Sequence, residues 1–198
     1  LWGSVFGSGE IAVILTHMRG RDQTSWFPFA RFIAESGYKV LTFDFRGYGK
    51  STGIKDTRMD RDLEAAIAYM RAKGAQQVVL IGASMGGTAV IELASESQVQ
   101  GVAALSPPAE FGRINALTAV ESMVIPLLLI VSENDYQYYS DARKIESAAA
   151  ATQFLVVEGQ QHGTNMIAEH RNEIFANLLA FLDRWTDDRL LTTVQTES

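Results

Sequence analysis

The sequence predicts an α/β fold built on a mostly parallel sheet and contained in one domain. Short apolar runs, typical of strands that are covered on both faces, alternate along the chain with amphipathic helical patterns. No repeat, low-complexity segment or linker interrupts this alternation. The 198 residues are enough for one substantial core. We therefore expect a single domain over residues 1–198, in which 190–198 form a loosely ordered tail.

The first half of the chain shows the alternation most clearly. One helical stripe lies at i, i+3, i+4 and i+7, and it consists of Leu63, Ala66, Ile67 and Met70. Gly37 and Gly74 stand where glycine commonly ends a helix. The elements predicted here are strands at 1–7, 11–16 and 39–43 and helices at 26–36 and 58–73.

The second half continues the pattern, with proline and glycine at the boundaries. Pro107 and Pro108 follow one apolar run, and Pro126 opens the next. The predicted strands are 77–81, 99–105, 127–131 and 153–157. The predicted helices are 88–95, 109–119, 140–151 and a last helix. The last helix has one apolar stripe, which consists of Ile174, Leu178, Phe181, Leu182 and Trp185. The segment 106–126 is too short for a cap domain, so none is expected.

Composition excludes several classes of function. The net charge is −6, and no cluster of Lys and Arg indicates a nucleic-acid or anionic-membrane surface. The chain has no cysteine, which excludes disulfides, thiolate catalysis and cysteine-bound metals. No apolar run approaches the length of a membrane span. We expect a soluble protein, cytoplasmic by default. Export stays an open alternative, because the chain starts at Leu1 and its N-terminus is taken to be incomplete.

The stretch Gly82-Ala83-Ser84-Met85-Gly86-Gly87 carries the strongest chemical signal. It lies between a predicted strand and a predicted helix, the context in which Gly-x-Ser-x-Gly forms a nucleophile elbow. A dinucleotide-binding fingerprint is the rival interpretation of these glycines. That fingerprint belongs to the first βα unit and needs an acidic residue after the next strand. Neither condition is met, which favours Ser84 as a nucleophile.

A serine nucleophile needs a base, and the chain offers three histidines. His162 follows the last predicted strand in a glycine-flanked loop and is our choice. His170 lies inside the final helix, where a solvated side chain is the simpler interpretation. His17 closes an early strand, and a structural hydrogen bond that holds its loop is expected there.

The base in turn needs an orienting acid. Asp135 lies just beyond the strand 127–131, at the end of the sheet where an open α/β fold places its site. Glu133 is the nearest rival. Asp44 also ends a strand, but it precedes the serine and is expected to brace the next turn. The order Ser84, Asp135, His162 is the one expected for the α/β-hydrolase arrangement.

From residue 9 to residue 185 the chain resembles the α/β-hydrolase superfamily, closest in style to small cap-less esterases and dienelactone-hydrolase-like members. The resemblance rests on the elbow and on four further motifs: His17, Asp44-x-Arg46-Gly47-x-Gly49-x-Ser51, Glu133-Asn134-Asp135 and His162-Gly163. The family often has His-Gly where this chain has His17-Met18. The resemblance implies an α/β-hydrolase fold, a mostly parallel sheet flanked by helices, and no cap.

The resemblance also implies acyl transfer through a Ser84 ester, with His162 as base and Asp135 as its orienting acid. One oxyanion donor would be the backbone N–H of Met85, which follows the nucleophile. The second would be Arg19, with Met18 as the alternative. No metal or organic cofactor is implied. The expected partner is a small-molecule ester, and the expected state is a monomer or small homo-oligomer.

The substrate is the least determined part of the expectation. Candidate pocket residues follow the predicted strand ends and comprise Trp26, Phe111, Ile114, Tyr136, Tyr138 and Tyr139. Packing within the loops is an equal alternative for each of them. Arg19 and Arg21 could attract a substrate carboxylate. Thioesterase or amidase activity would use the same machinery, and a non-catalytic sensing or interaction protein on this scaffold is the alternative from another class.

Overall fold

The apolar runs pair into one seven-stranded sheet in a computed structural model that describes residues 1–95 and 98–186. The strand order is β1-β3-β2-β4-β5-β8-β9. Only β1 runs antiparallel to its neighbour, and all other pairs in this sheet are parallel. The strands are β1 Trp2–Phe6, β2 Ile11–Thr16, β3 Lys39–Asp44, β4 Gln77–Ala83, β5 Gly101–Leu105, β8 Leu127–Ser132 and β9 Thr152–Val157.

Six described helices and a small hairpin connect these strands. The helices are α1 Phe27–Glu35, α2 Met59–Ala72, α3 Met85–Ala94, α4 Ala116–Ser122, α5 Tyr136–Ala148 and α6 Ile167–Thr186. Short 3-10 turns at Gln23–Trp26 and Gly163–Met166 precede α1 and α6. The hairpin strands are β6 Glu110–Phe111 and β7 Ile114–Asn115.

The sheet has a hydrophobic layer on each face. Successive strand residues point to opposite faces, so in β2 Ile14 packs in one layer and Val13 in the other. Helices α2, α3, α4 and α5 contribute to the layer of Ile14, and α1 and α6 to the layer of Val13. This confirms the predicted α/β architecture, with helices on both faces and no cap built into the segment between β5 and β8.

Two predictions about helices were wrong in part. The helix predicted at 109–119 is instead the β6–β7 hairpin followed by α4, because Gly112 turns the chain at φ +62° and Asn115 caps the helix by accepting from Thr118 N–H. Helix α5 covers Tyr136–Ala148 and not 140–151. Tyrosines have only moderate helix propensity, so the pattern placed its start too late.

The apolar stripe of the last helix is correct except at its end. Trp185 is 38% exposed, under the guanidinium of Arg184. The predicted tail, 190–198, lies outside the described residues.

The parallel strands all end at one edge of the sheet. His17 follows β2, Ser84 follows β4, and Ser106 follows β5 at this edge. The loops after β8 and β9 end there as well, and they carry Asp135 and His162. The fold therefore gathers side chains from distant parts of the sequence on one edge, as open α/β sheets do at their ligand sites.

Candidate active site

Ser84 occupies a strained turn between β4 and α3. Its backbone is at φ +50° and ψ −121°, a conformation that L-residues adopt only where the surroundings impose it. The Ser84 N–H donates to Leu105 O at 2.8 Å, which ties the turn to the neighbouring strand. The serine is thus held at the sheet edge on a backbone that has little freedom to relax.

The two glycines of the elbow make this turn possible. A Cβ on Gly82 would lie 2.3 Å from Gly86 O, and a Cβ on Gly86 would lie 2.7 Å from the carbonyls of Thr16 and His17. The Thr16 hydroxyl donates to Gly86 O at 3.1 Å. The start of α3 is therefore packed directly against the end of β2, and only glycine fits between them.

His162 and Asp135 form a hydrogen-bonded pair. His162 Nδ1 lies 2.8 Å from Asp135 Oδ2, and both side chains are largely buried. With Nδ1–H donating to the carboxylate, Nε2 is left to serve as the acceptor. The structure thus brings together the two residues that the sequence selected as base and acid.

The rival residues lie elsewhere. Glu133 is exposed, and its Oε1 accepts from Asn134 Nδ2 at 3.0 Å. His170 lies in α6, where its Nδ1 is 3.8 Å from Glu173 Oε2. His17 is fully buried, as expected for a structural histidine, and it is described below with its loop.

Two serines hold the histidine loop from both sides. Ser132 Oγ donates to Gln161 O at 2.7 Å, and Ser106 Oγ accepts from Gly163 N–H at 3.2 Å. Sequence reasoning missed both, although each lies at the end of an apolar strand, the position that pointed to Asp135. The ring of Tyr138 packs on the imidazole of His162, with 4.0 Å between ring centroids. These three residues restrict where the imidazole can point.

The histidine loop packs against the nucleophile turn. A Cβ on Gly163 would lie 3.5 Å from Ala83 Cβ and 2.9 Å from Met18 Sδ. Ala83 directly precedes Ser84, and Gly163 directly follows His162. The residue after the predicted base thus packs beside the side chain of the residue before the predicted nucleophile, and also beside the side chain of Met18 in the β2 loop.

The loop after β2 is organised by His17. The Nδ1 of His17 donates to Met18 O at 2.9 Å, and its Nε2 accepts from Phe45 N–H at 3.1 Å. Burial lowers the pKa of this imidazole, partly opposed by the bond to the Met18 carbonyl, which agrees with the neutral form that this bonding requires. The two hydrogen bonds of His17 therefore connect its own loop, after β2, to the loop after β3.

The same contacts fix the peptide between Met18 and Arg19. Met18 O also accepts from Arg21 N–H at 3.2 Å, so this carbonyl is held by two donors. In a trans peptide the following N–H, that of Arg19, points the opposite way. It donates to no residue in the described part of the chain. Met85 opens α3, where the first N–H groups have no partner within the helix.

The predicted pocket residues separate into two groups. Trp26 is fully buried and donates from Nε1 to Thr16 O at 2.8 Å, and Ile114 packs in the core. Trp26 thus contributes to packing, whereas Ile114 also lines a surface pocket beside Gly112 and Arg113. Phe111 lies under the guanidinium of Arg19, Tyr136 is 78% exposed, and Tyr138 covers His162. Tyr139 packs edge-on against Phe154, beside the core.

Within residues 1–95 and 98–186, no three His, Asp or Glu side chains are grouped as they would be to hold a metal ion. In the same ranges no helix combines the length and hydropathy needed to cross a membrane.

Comparisons with known proteins find partial sequence matches to curated hydrolases. A 2-hydroxy-6-oxononadienedioate/2-hydroxy-6-oxononatrienedioate hydrolase of Klebsiella pneumoniae is 36% identical over 90 residues, which cover 43% of this chain and 31% of that protein. The hydrolase of that name from Burkholderia vietnamiensis is 34% identical over 93 residues, 44% of this chain and 32% of that protein. The chain thus matches about a third of the length of these curated relatives.

Solved structures share the fold at low sequence identity. A monoacylglycerol lipase of Paleococcus ferrophilus has a TM-score of 0.80 at 18% identity, covering 93% of this chain and 99% of its own. An esterase of Pyrococcus furiosus has a TM-score of 0.79 at 22% identity, covering 93% and 85%. An enol-lactonase of Burkholderia xenovorans has a TM-score of 0.79 at 15% identity, covering 91% and 95%.

A model of the alpha/beta hydrolase fold family matches residues 11–142, which is well over half of the chain. This range includes the elbow and Asp135. The chain belongs to the α/β-hydrolase family.

Proposed function

We propose that this protein is a serine hydrolase that cleaves carboxylic esters of small to medium acyl groups through an acyl-enzyme on Ser84. The observation that carries the proposal is the hydrogen-bonded pair of His162 and Asp135, at the sheet edge where the strained turn holds Ser84. A serine hydroxyl is a weak nucleophile near neutral pH, and this pair is the kind of base that activates it.

In the first half of the reaction Ser84 Oγ attacks the ester carbonyl while its proton passes to His162 Nε2. The C–O bond to the alcohol then breaks, and His162 returns the proton to the leaving oxygen. Water attacks the acyl-enzyme in the second half, with His162 again taking and returning a proton. The acid is released and Ser84 is regenerated, so atoms and charge balance over the cycle.

Asp135 has two roles in this scheme. It holds His162 in the tautomer whose Nε2 is free to accept a proton, and it stabilises the imidazolium that forms after transfer. The oxyanion of each tetrahedral intermediate would be stabilised by the N–H groups of Met85 and Arg19. We choose Arg19 over Met18, since two donors fix the Met18 carbonyl and leave the Arg19 N–H without a described partner.

The names of the similar proteins support the same reaction class. The structural neighbours include an esterase, a monoacylglycerol lipase and an enol-lactonase, and the sequence relatives are named as hydrolases. Thioesters and amides share the acyl-enzyme route, so a thioesterase or amidase is the alternative within this mechanism. A non-catalytic sensing protein is the alternative outside it.

Hydrolysis of 4-nitrophenyl acetate and butyrate tests the proposal, together with a thioester and an anilide of the same acyl groups. Ser84→Ala and His162→Ala should each lower kcat by at least about 10³-fold, because the nucleophile and its base act as one unit. His170→Ala is the matched control and should keep the wild-type rate. Wild-type activity no higher than that of Ser84→Ala across all acyl lengths would overturn the proposal.

A further inference from the structure

A cavity of about 550 Å³ lies beside the predicted oxyanion loop, between the loops that follow β2 and β3. Its lining is mostly polar and carries five charged side chains: Arg19, Arg21, Asp22, Lys55 and Asp56. The proposed reaction uses none of these side chains. Three cations thus face two carboxylates in a protein whose net charge is −6.

Both carboxylates of the cavity already have donors from their own chain. Asp22 Oδ1 accepts from the backbone N–H of Thr24 at 2.9 Å and from the Thr24 hydroxyl, and these bonds lower the pKa of Asp22. Asp56 accepts from the Tyr48 hydroxyl and pairs with Arg19 at 3.6 Å. Burial and the bond to Asp56 raise the pKa of Tyr48 to about 12, so its hydroxyl stays a donor.

Two of the three cations, Arg21 and Lys55, form no close ion pair with a described carboxylate. Arg21 Nη2 donates to the side-chain oxygen of Asn165 at 2.9 Å, and Lys55 Nζ lies 5.0 Å from the ring centroid of Tyr48. Among the described residues, no carboxylate oxygen lies within 4.0 Å of either cation. Arg21 contributes to the lowered pKa of the nearby Asp22, and Arg19 pairs with Asp56, so the three cations and two carboxylates leave one positive charge in excess in the cavity.

Contacts connect the cavity to the reacting centre. Arg19 belongs to the wall of the cavity, and its N–H is the proposed oxyanion donor. Asn165, which holds Arg21, donates its own N–H to His162 O at 3.1 Å. The cavity thus adjoins the loop of the proposed oxyanion donor and the loop of the predicted base.

The order of the strands in the sheet indicates whether the acyl end or the alcohol end of a substrate would lie toward the cavity. His162 must face the leaving alcohol, and it stands with Asp135 on the loops after β9 and β8. The cavity lies over β2 and β3, on the other side of β4. Most of the cavity therefore lies on the side toward which the acyl group would extend, and Arg21 lies at the border with the histidine loop, where it donates to Asn165.

We propose that this cavity is a carboxylate-binding subsite, which makes monoesters of dicarboxylic acids the preferred substrates. The proposal rests on the proposed ester hydrolysis and names its substrate class. The guanidinium of Arg21 offers two parallel N–H donors that match a carboxylate, and Lys55 supplies a second charge across the cavity. Because both cations are exposed, the preference should weaken as salt screens them.

The test compares monomethyl esters of glutaric to suberic acid with the dimethyl esters of the same acids. The measured quantity is the ratio of kcat/KM for the charged ester to that for the neutral ester, at low and high salt. Arg21→Gln and Lys55→Gln should each lower this ratio by roughly fivefold at low salt. Arg31→Gln and Lys73→Gln are matched controls, since each removes one exposed charge of the same type that does not line the cavity, and Lys73, like Lys55, lies over a tyrosine ring. They should leave the ratio unchanged.

A wild-type ratio of one or less, or the same ratio in wild type and both cavity variants, would overturn the subsite. Ser84-dependent hydrolysis of the neutral esters would then still support the proposed function. If no ester is hydrolysed, the binding of a dicarboxylate tests the subsite without catalysis. Adipate, but not neutral adipamide, should shift the backbone amide resonances of Gly20 and Ser25, and Arg21→Gln should abolish the shift. No shift with adipate would overturn the subsite independently of catalysis.

Discussion

Neighbouring residues hold each proposed reacting side chain of this protein in place. Ser84 sits at positive φ, a conformation that costs on the order of 1–3 kcal/mol and must be imposed by its surroundings. Its N–H bond to Leu105 and the tight contact of Gly86 with the end of β2 impose it. His162 is held by the two serines that bind the residues before and after it. The geometry of the site thus depends on small residues that take no part in the chemistry.

The choice of Asp135 over Glu133 gives a prediction at this scale. Asp135→Asn should lower kcat by on the order of 10³–10⁴-fold, because an amide favours the tautomer of His162 whose Nε2 carries the proton. Glu133→Gln is the matched control, since it makes the same chemical change two residues away on an exposed side chain. It should stay within a factor of about two of wild type. Steady-state ester hydrolysis by both variants gives the answer, and the opposite order of losses would reassign the acid.

Some site residues could be predicted from the sequence and others could not. The difference is whether the role requires a particular residue type at a particular place in the chain. Asp135 and His162 could be selected because the chemistry requires those residue types in a known order after strands. Ser106 and Ser132 hold a loop by hydrogen bonds, a role that any serine can take and that spacing does not show. Trp26 is a pocket candidate from the sequence because it starts a helix next to the β2 loop, with packing as the equal alternative. An aromatic residue in that place can face inward or outward with equal ease, and here it is buried.

At the scale of elements, His17 joins two loops of the site. It binds Met18 O in its own loop after β2 and Phe45 N–H in the loop after β3, and burial lowers its pKa below the usual 6.5. The neutral form is therefore favoured in the folded state. The contribution of neutral His17 to the free energy of unfolding is complete above pH 6.5. It decreases as the pH falls, because the unfolded chain then binds a proton at His17 more readily than the folded protein does.

Urea denaturation at a series of pH values between 7.5 and 5.0 measures this effect. The free energy of unfolding should fall with pH below about 6.5, with a contribution from His17 of at most about 1.4 kcal/mol per pH unit. His17→Gln should be less stable at pH 7.5 and should lack that part of the slope. His170→Gln, which alters a histidine in α6, should keep the slope of wild type. Equal slopes for wild type and His17→Gln would show that His17 does not titrate as proposed.

The elements themselves were predictable to different degrees. Parallel strands are continuous apolar runs, so the six parallel strands of the main sheet could be placed to within about two residues, and the antiparallel β1 to within one. The segment 109–119 could not be placed in this way. Its structure depends on the turn at Gly112 and the helix cap at Asn115, and not on the spacing of its apolar residues. The start of α5 was missed since Tyr136, Tyr138 and Tyr139 give little local preference for a helix.

At the scale of the whole molecule, the order of the strands does most to create the site. The β4–β5–β8–β9 half of the sheet carries the proposed nucleophile, acid and base, and the β2–β3 half carries the proposed oxyanion loop and the cationic cavity. We propose that the described residues form one domain around this sheet. The alternating pattern of the sequence was sufficient to predict the mostly parallel sheet flanked by helices, because the central parallel strands are covered on both faces. The cavity was not predictable beyond Arg19 and Arg21, since Lys55 joins them only through the fold.

The central claim is that Ser84 is an activated nucleophile, and covalent labelling with a fluorophosphonate tests it most directly. The serine oxygen attacks phosphorus and displaces fluoride, so the reaction needs no knowledge of the natural substrate. Mass spectrometry of the labelled peptide should place one phosphonyl group on Ser84. The labelling rate should fall at least about 10³-fold in His162→Ala and stay unchanged in His170→Ala. Label on another residue, or labelling of Ser84 at the same rate without His162, would contradict the account.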